Sequence, residues 1–122
     1  MKNLGYKSKG EKMIADFLNE LEIKFVYEKP FMIKDPEDNL RIVYPDFWLS
    51  EFGIIIEYFG MEGNESYDVI TKRKKEMYKK DYLEMIPVYP VTLKKNWKEY
   101  IKKKIFEINE NKFMNSLDLE DF

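Results

Sequence analysis

The run Gly53-Ile54-Ile55-Ile56-Glu57 constrains the fold of this chain more than any other stretch. Successive side chains of a strand point to opposite sides, so consecutive β-branched apolar residues suit a strand covered on both faces. The carboxylate that ends the run, Glu57, would then be partly buried and in need of a partner. Just upstream, Pro45-Asp46-Phe47-Trp48-Leu49 reads as a second strand, and Ser50 to Gly53 as the turn between the two. An antiparallel pair with a tight turn sets Asp46 and Glu57 side by side. Oxygen ligands at that spacing suit a hard divalent cation such as Mg2+ or Mn2+.

The sequence of 122 residues is long enough for one core with a sheet and several helices. It has neither cysteine nor histidine. Disulfides, thiolate zinc sites, histidine general bases and Ser-His or Cys-His nucleophiles are thereby excluded. The start, Met1-Lys2-Asn3-Leu4-Gly5, has no apolar leader, and no apolar run approaches membrane-spanning length. The expectation is a cytoplasmic protein with no membrane association.

Ser8-Lys9-Gly10-Glu11 fits a capping box, with Glu11 reaching back to the Ser8 backbone N–H. The helix it opens runs to about Leu21, with Met13, Ile14, Phe17, Leu18 and Leu21 as its core stripe. Ile23 to Tyr27 reads as the first strand, ended by Glu28-Lys29-Pro30. Phe31-Met32-Ile33 is a short strand or loop, and residues 34–39 are a polar turn cluster. Alternation turns Phe47 and Leu49 to one side, Asp46 and Trp48 to the other.

After Glu57 comes a loop, Gly60-Met61-Glu62-Gly63-Asn64-Glu65, and then a helix from an N-cap at Ser66 to about Leu83. On that helix Tyr67, Ile70, Met77, Tyr78 and Tyr82 share a face, with Lys74 near its middle and Lys75 at its edge. An ammonium centred on an apolar face needs a partner or must snorkel out. Met85 to Val88 reads as a buried strand, and Thr92 as the N-cap of a last helix with Trp97, Tyr100, Ile101, Ile105 and Ile108 on one face. The expected organisation is a single domain over 1–108 followed by an acidic C-terminal tail, 109–122.

The net charge of −2 hides a strong asymmetry. Met1 to Thr71 holds eight basic and fourteen acidic residues, Lys72 to Lys104 twelve and four, and Ile105 to Phe122 one and five. The central segment is therefore basic enough to meet phosphates at one face, or to form solvated helix faces.

Pro45-Asp46, ten intervening residues, then Glu57 in Ile-Ile-Glu-Tyr-Phe-Gly, followed by a Tyr/Lys helix, resembles the core of the PD-(D/E)XK nuclease superfamily. The resemblance runs from about Ser8 to Tyr100. The family's lysine stands two residues after the acid, and that position here is Phe59. Either the lysine has moved to another element or the site is inactive. Lys74-x-x-x-Tyr78 resembles the migrated motif of helicase-associated relatives, which favours Lys74, then Lys75.

The resemblance implies a restriction-endonuclease-like α/β fold, a mixed sheet of about four strands flanked by helices in αβββαβ order. It implies an endonuclease that hydrolyses DNA by metal-activated water. Asp46, Glu57, Lys74 and Glu11 would be its catalytic residues, and Asp46, Glu57 and the backbone carbonyl of Tyr58 its ligands for Mg2+ or Mn2+. Lys72, Arg73, Lys75 and Lys79 would contact DNA, branched or nicked forms included, with a second copy or a partner protein supplying specificity. The alternative is an inactive module of that fold that binds nucleic acid or a protein.

Overall fold

The computed structural model describes residues 5–61 and 65–120. Met1 to Leu4, and Glu62, Gly63 and Asn64 of the expected loop, lie outside the described residues. Helix α1 spans Lys9–Glu20 and strand β1 Val26–Tyr27. Strands β2, Phe31–Lys34, and β3, Leu40–Val43, form a hairpin. Strands β4, Phe47–Leu49, and β5, Ile54–Tyr58, follow, then helix α2, Glu65–Lys80, and strand β6, Glu84–Val88. A 3-10 turn over Thr92–Lys94 leads into helix α3, Trp97–Glu120.

The fold is α/β, with a four-stranded mixed sheet in the order β1-β4-β5-β6. Pairing is antiparallel from β1 through β5 and parallel between β5 and β6. The hairpin β2–β3 is a separate two-stranded sheet inserted between β1 and β4.

The three isoleucines of β5 explain the layering. Ile54 and Ile56 enter one core with Ile14, Phe17 and Leu18 of α1, Phe47 and Leu49 of β4, and Trp97, Ile101 and Ile105 of α3. Ile55 points the other way, into a second core with Ile33 of the hairpin and Met77 and Tyr78 of α2. Helices α1 and α3 thus cover one face of the sheet, while α2 and the hairpin cover the other. All three isoleucines are fully buried, and each contributes on the order of 2 kcal/mol by leaving water.

Several local expectations are corrected. Only Val26 and Tyr27 of the first strand pair with β4. Met13 and Leu21 are more than a third exposed, and Gly10 and Ala15 take their place in the buried face of α1. Ser66 is not an N-cap, because α2 already begins at Glu65. The helix ends at Lys80, and Ile70 and Tyr82 are exposed while Thr71 is buried. Thr92 does not cap α3; its hydroxyl accepts the Tyr89 N–H at 3.1 Å. The backbone of 109–120 continues α3 as helix.

Both α1 and α2 end without glycine. Glu22 and Tyr82 adopt left-handed φ values of 56° and 58°. The next amides, of Ile23 and Leu83, donate back to the carbonyls of Leu18 and Tyr78 at 2.9 Å. This closing arrangement usually relies on glycine, and a side chain there costs on the order of 1 kcal/mol. Among the described residues no helix is long and apolar enough to cross a membrane.

Candidate active site

The β4–β5 hairpin fixes the acidic pair. Gly53, at φ 68°, closes the turn by donating its N–H to the Leu49 carbonyl at 2.8 Å. The resulting register pairs Phe47 with Ile56, which puts Asp46 opposite Glu57. The two acids are locked by reciprocal bonds to backbone. The Asp46 N–H donates to Glu57 Oε1 at 2.7 Å, and the Tyr58 N–H donates to Asp46 Oδ2 at 2.7 Å. Glu57 is 1% exposed and Asp46 9%.

Lys74 completes the group from α2. Its Nζ donates to Glu57 Oε2 at 2.7 Å. Burial opposes the ammonium, but the charge of Glu57, its hydrogen bond and then Asp46 outweigh it and hold the Lys74 pKa above its ordinary value. Asp46 is pushed the other way for a carboxyl, well above its ordinary range, first by burial and then by the charge of Glu57. Burial and the neighbouring Glu57 thus oppose a second negative charge at Asp46.

Glu11 stands close enough to raise the Asp46 pKa further, but its own carboxylate is engaged. Glu11 Oε1 accepts the Tyr27 hydroxyl at 2.7 Å and the Lys7 N–H at 3.0 Å. Ser8 caps α1 as expected, its Oγ accepting the Glu11 N–H at 3.1 Å. The return bond of the capping box goes to Lys7 rather than to Ser8.

Lys75 takes a different direction from Lys74. Its ammonium donates to the Tyr89 hydroxyl and lies 5.6 Å from the centroid of the Phe59 ring and 5.2 Å from that of Tyr89. Phe59 is 2% exposed and packs on Tyr89 with ring centroids 5.6 Å apart. The position two after the acid is thus filled by an aromatic cluster, and among the described residues Lys74 alone supplies the cation at Glu57. Arg73 turns to the hairpin, where it pairs with Glu37 and Asp35. Lys72 and Lys79 are exposed. A groove between α2 and β6, lined by Lys75, Tyr78, Lys79, Tyr82, Met85 and Pro87 among others, adjoins the acids, because Pro87 sits opposite Glu57 in the β5–β6 register.

Three features of the site escaped sequence reasoning. The first is the ring of Tyr58, wedged between two glycines. A Cβ on Gly10 would stand 2.4 Å from Tyr58 Cζ, and one on Gly60 2.8 Å from Tyr58 Cε2. A glycine in the first turn of α1 was the available signal, since it marks a close approach. The second is the Tyr78 hydroxyl, buried beside Glu57 and without a well-formed hydrogen bond among the described residues. The third is Asp35, which looked like part of a polar turn. It is fully buried, and its Oδ1 accepts the Glu37 and Asn39 N–H groups at 2.9 Å while Oδ2 accepts Arg41 Nε at 2.8 Å.

Among the described residues no cluster of three or more His, Cys, Asp or Glu side chains is arranged to hold a metal ion. The donor set is therefore two carboxylates. That number fits Mg2+, which keeps several waters and commonly takes one or two carboxylates plus substrate phosphate oxygens. No protein-family model, curated protein or solved structure matches this chain.

Proposed function

We propose that the chain is a metal-dependent endonuclease that hydrolyses DNA phosphodiester bonds, related to the PD-(D/E)XK nucleases and carrying its lysine on α2. The observation that carries this reading is the 2.7 Å bond from Lys74 Nζ to Glu57 Oε2. It joins a buried acidic pair on adjacent strands to a cation from a separate helix, a combination suited to metal-assisted phosphodiester hydrolysis.

Asp46 and Glu57 would hold Mg2+ or Mn2+ with the Tyr58 carbonyl. A metal bound there would lower the pKa of a coordinated water and neutralise charge on the phosphate oxygens. Lys74 orients the nucleophilic water and stabilises the extra negative charge of the transition state. The Asp46 N–H and Tyr58 N–H keep the two carboxylates in fixed orientations, so little reorganisation is needed. Glu11 is accessory, holding Tyr27 and the start of α1 against the site. The groove carrying Lys75 and Lys79 is the path for the DNA backbone, and Lys72 adds charge at its margin; Arg73 is a weaker contact because its charge is committed to Glu37 and Asp35. The substrate includes branched or nicked DNA, specificity comes from a second copy or a partner protein, and the setting is the cytoplasm.

Nicking of supercoiled plasmid in Mg2+ or Mn2+ tests this reading. The wild type should nick, and Asp46→Asn should lose at least about a hundredfold of that rate. Absence of cleavage on supercoiled, single-stranded and branched DNA, together with absence of Mn2+ binding, overturns it.

A second reading, an inactive module that binds nucleic acid, is favoured by one observation. Both oxygens of Glu57 are already engaged, by the Asp46 N–H and by Lys74. Salt-sensitive DNA binding by a protein that takes up no Mn2+ in calorimetry would select it.

A further inference from the structure

The C-terminal half of α3 carries an apolar stripe that no other described residue covers. Phe106 is 65% exposed, Phe113 62%, Met114 52% and Leu117 39%. At about 100° per residue, Phe106, Phe113 and Leu117 fall within about 40° of one another on the helix surface. The helix cannot roll to bury them. Ile101 and Ile105 fix its first half in the core, and the Lys112 ammonium donates to the Phe52 and Gly53 carbonyls at 2.8 and 3.2 Å on the same inward side. A stripe of this kind, held outward, marks an interaction surface.

The charge pattern of the helix indicates what covers it. Trp97 to Phe106 holds four lysines and one glutamate, a net +3, while Glu107 to Glu120 holds four acids and one lysine, a net −3. A nucleic acid or an anionic surface would meet repulsion along the acidic half. A second copy of the same helix, laid antiparallel, meets complementary charge along both halves at once. It also sets the two helix dipoles in opposition. Such a contact is isologous and closes on itself.

We propose that α3 is a homodimerisation surface, on which two copies pack antiparallel about a two-fold axis near Glu110. The stripe of each copy covers that of the other, with Phe106 of one helix against Phe113 and Leu117 of the second. The basic first half of each helix lies beside the acidic second half of the other. The pairing stands independently of the nuclease reading, since it involves none of Asp46, Glu57 or Lys74.

Sedimentation equilibrium on the full chain, over a wide concentration range at low and high salt, tests this. The expected result is a monomer–dimer equilibrium weakened by salt. Phe113→Glu, an exposed position whose change should leave the circular dichroism spectrum intact, should weaken the dimer by on the order of a hundredfold. Lys102→Glu/Lys103→Glu and Asp118→Lys/Glu120→Lys should each be monomeric alone and form a heterodimer when mixed. A wild type that stays monomeric throughout overturns the proposal, and so does a dimer indifferent to Phe113→Glu. Failure of the two charge-reversed variants to combine overturns the antiparallel arrangement.

Discussion

Lys74 reaches from α2 across the open end of β5 to place its ammonium 2.7 Å from Glu57 Oε2, while the neighbouring Lys75 turns to Tyr89. Adjacent positions on a helix differ by about 100°, so only one of two consecutive lysines can face a given carboxylate. The Lys74 side chain is 31% exposed and that of Glu57 1%. The pair is thus shielded from solvent on the acid's side and partly open to it on the lysine's side.

Lys74→Ala should slow DNA cleavage by roughly a hundredfold to a thousandfold, with little loss of DNA affinity. It should also destabilise the fold by about 1–3 kcal/mol, because Glu57 keeps a buried oxygen without its donor. Lys75→Ala should cost only about 0.5–1 kcal/mol, for the lost contact with two rings, and should weaken DNA binding while cleaving at close to the wild-type rate once DNA is saturating. Plasmid nicking and urea titration of both variants check this, and equal rate losses in the two would contradict it.

The stability of the metal-free protein should fall as pH rises above the ordinary carboxylate range. Asp46 holds its proton in the folded chain to well above that range, owing to burial and the charge of Glu57. The unfolded chain releases that proton near about pH 4. Between the two values the folded state binds more protons than the unfolded one, so rising pH destabilises it. Asp46→Asn removes the effect and should be more stable than wild type at mildly alkaline pH, though inactive. Calorimetric Tm values in chelator across pH, wild type beside Asp46→Asn, provide the test; parallel curves would count against it. Mn2+ should raise the wild-type Tm more at alkaline than at acid pH, since it displaces a proton.

Gly10→Ala should destabilise the protein, against the usual trend for a helix. Alanine gains up to about 1 kcal/mol in helix propensity. Its Cβ would meet the Tyr58 ring at 2.4 Å, and that ring is blocked on its other side by Gly60. Overpacking of this kind costs about 1–3 kcal/mol, so the net change should be a loss. Adding Tyr58→Leu should recover most of it, a non-additivity that thermal unfolding of the single and double variants can measure.

Asp35→Asn should loosen the β2–β3 hairpin from α2. The Asp35 carboxyl is held down to about 2, chiefly by the Arg41 guanidinium and by the Asn39 and Glu37 N–H groups. A depressed carboxyl stabilises the fold above its unfolded pKa, and the contribution disappears as pH falls through the folded value. The variant should therefore have a lower Tm at neutral pH, and the difference should shrink toward about pH 2. A Tm gap that is constant with pH would argue that the charge of Asp35 contributes nothing.

Contacts made within a short span of chain were legible in the sequence. The β4–β5 hairpin needs only the Ser50 to Gly53 turn, so the alternation of Phe47, Trp48 and Leu49 and the opposition of Asp46 to Glu57 follow from local register. The same holds for the Ser8 cap and for the two-sided burial of Ile54, Ile55 and Ile56. Helix ends were less legible, because Glu22 and Tyr82 hold left-handed backbones where a glycine would have announced a stop. The chain alone also left open whether Lys74 or Lys75 faces the acids. That choice depends on how α2 rolls when Met77 and Tyr78 pack beneath β5 and when Arg73 and Lys80 grip Asp35, Glu37 and Asp38 of the hairpin. The sequence by itself determined the acidic pair and the strand that buries it. Tertiary packing decided which cation meets that pair, because the roll of a helix is set by distant partners whose contacts no local pattern encodes.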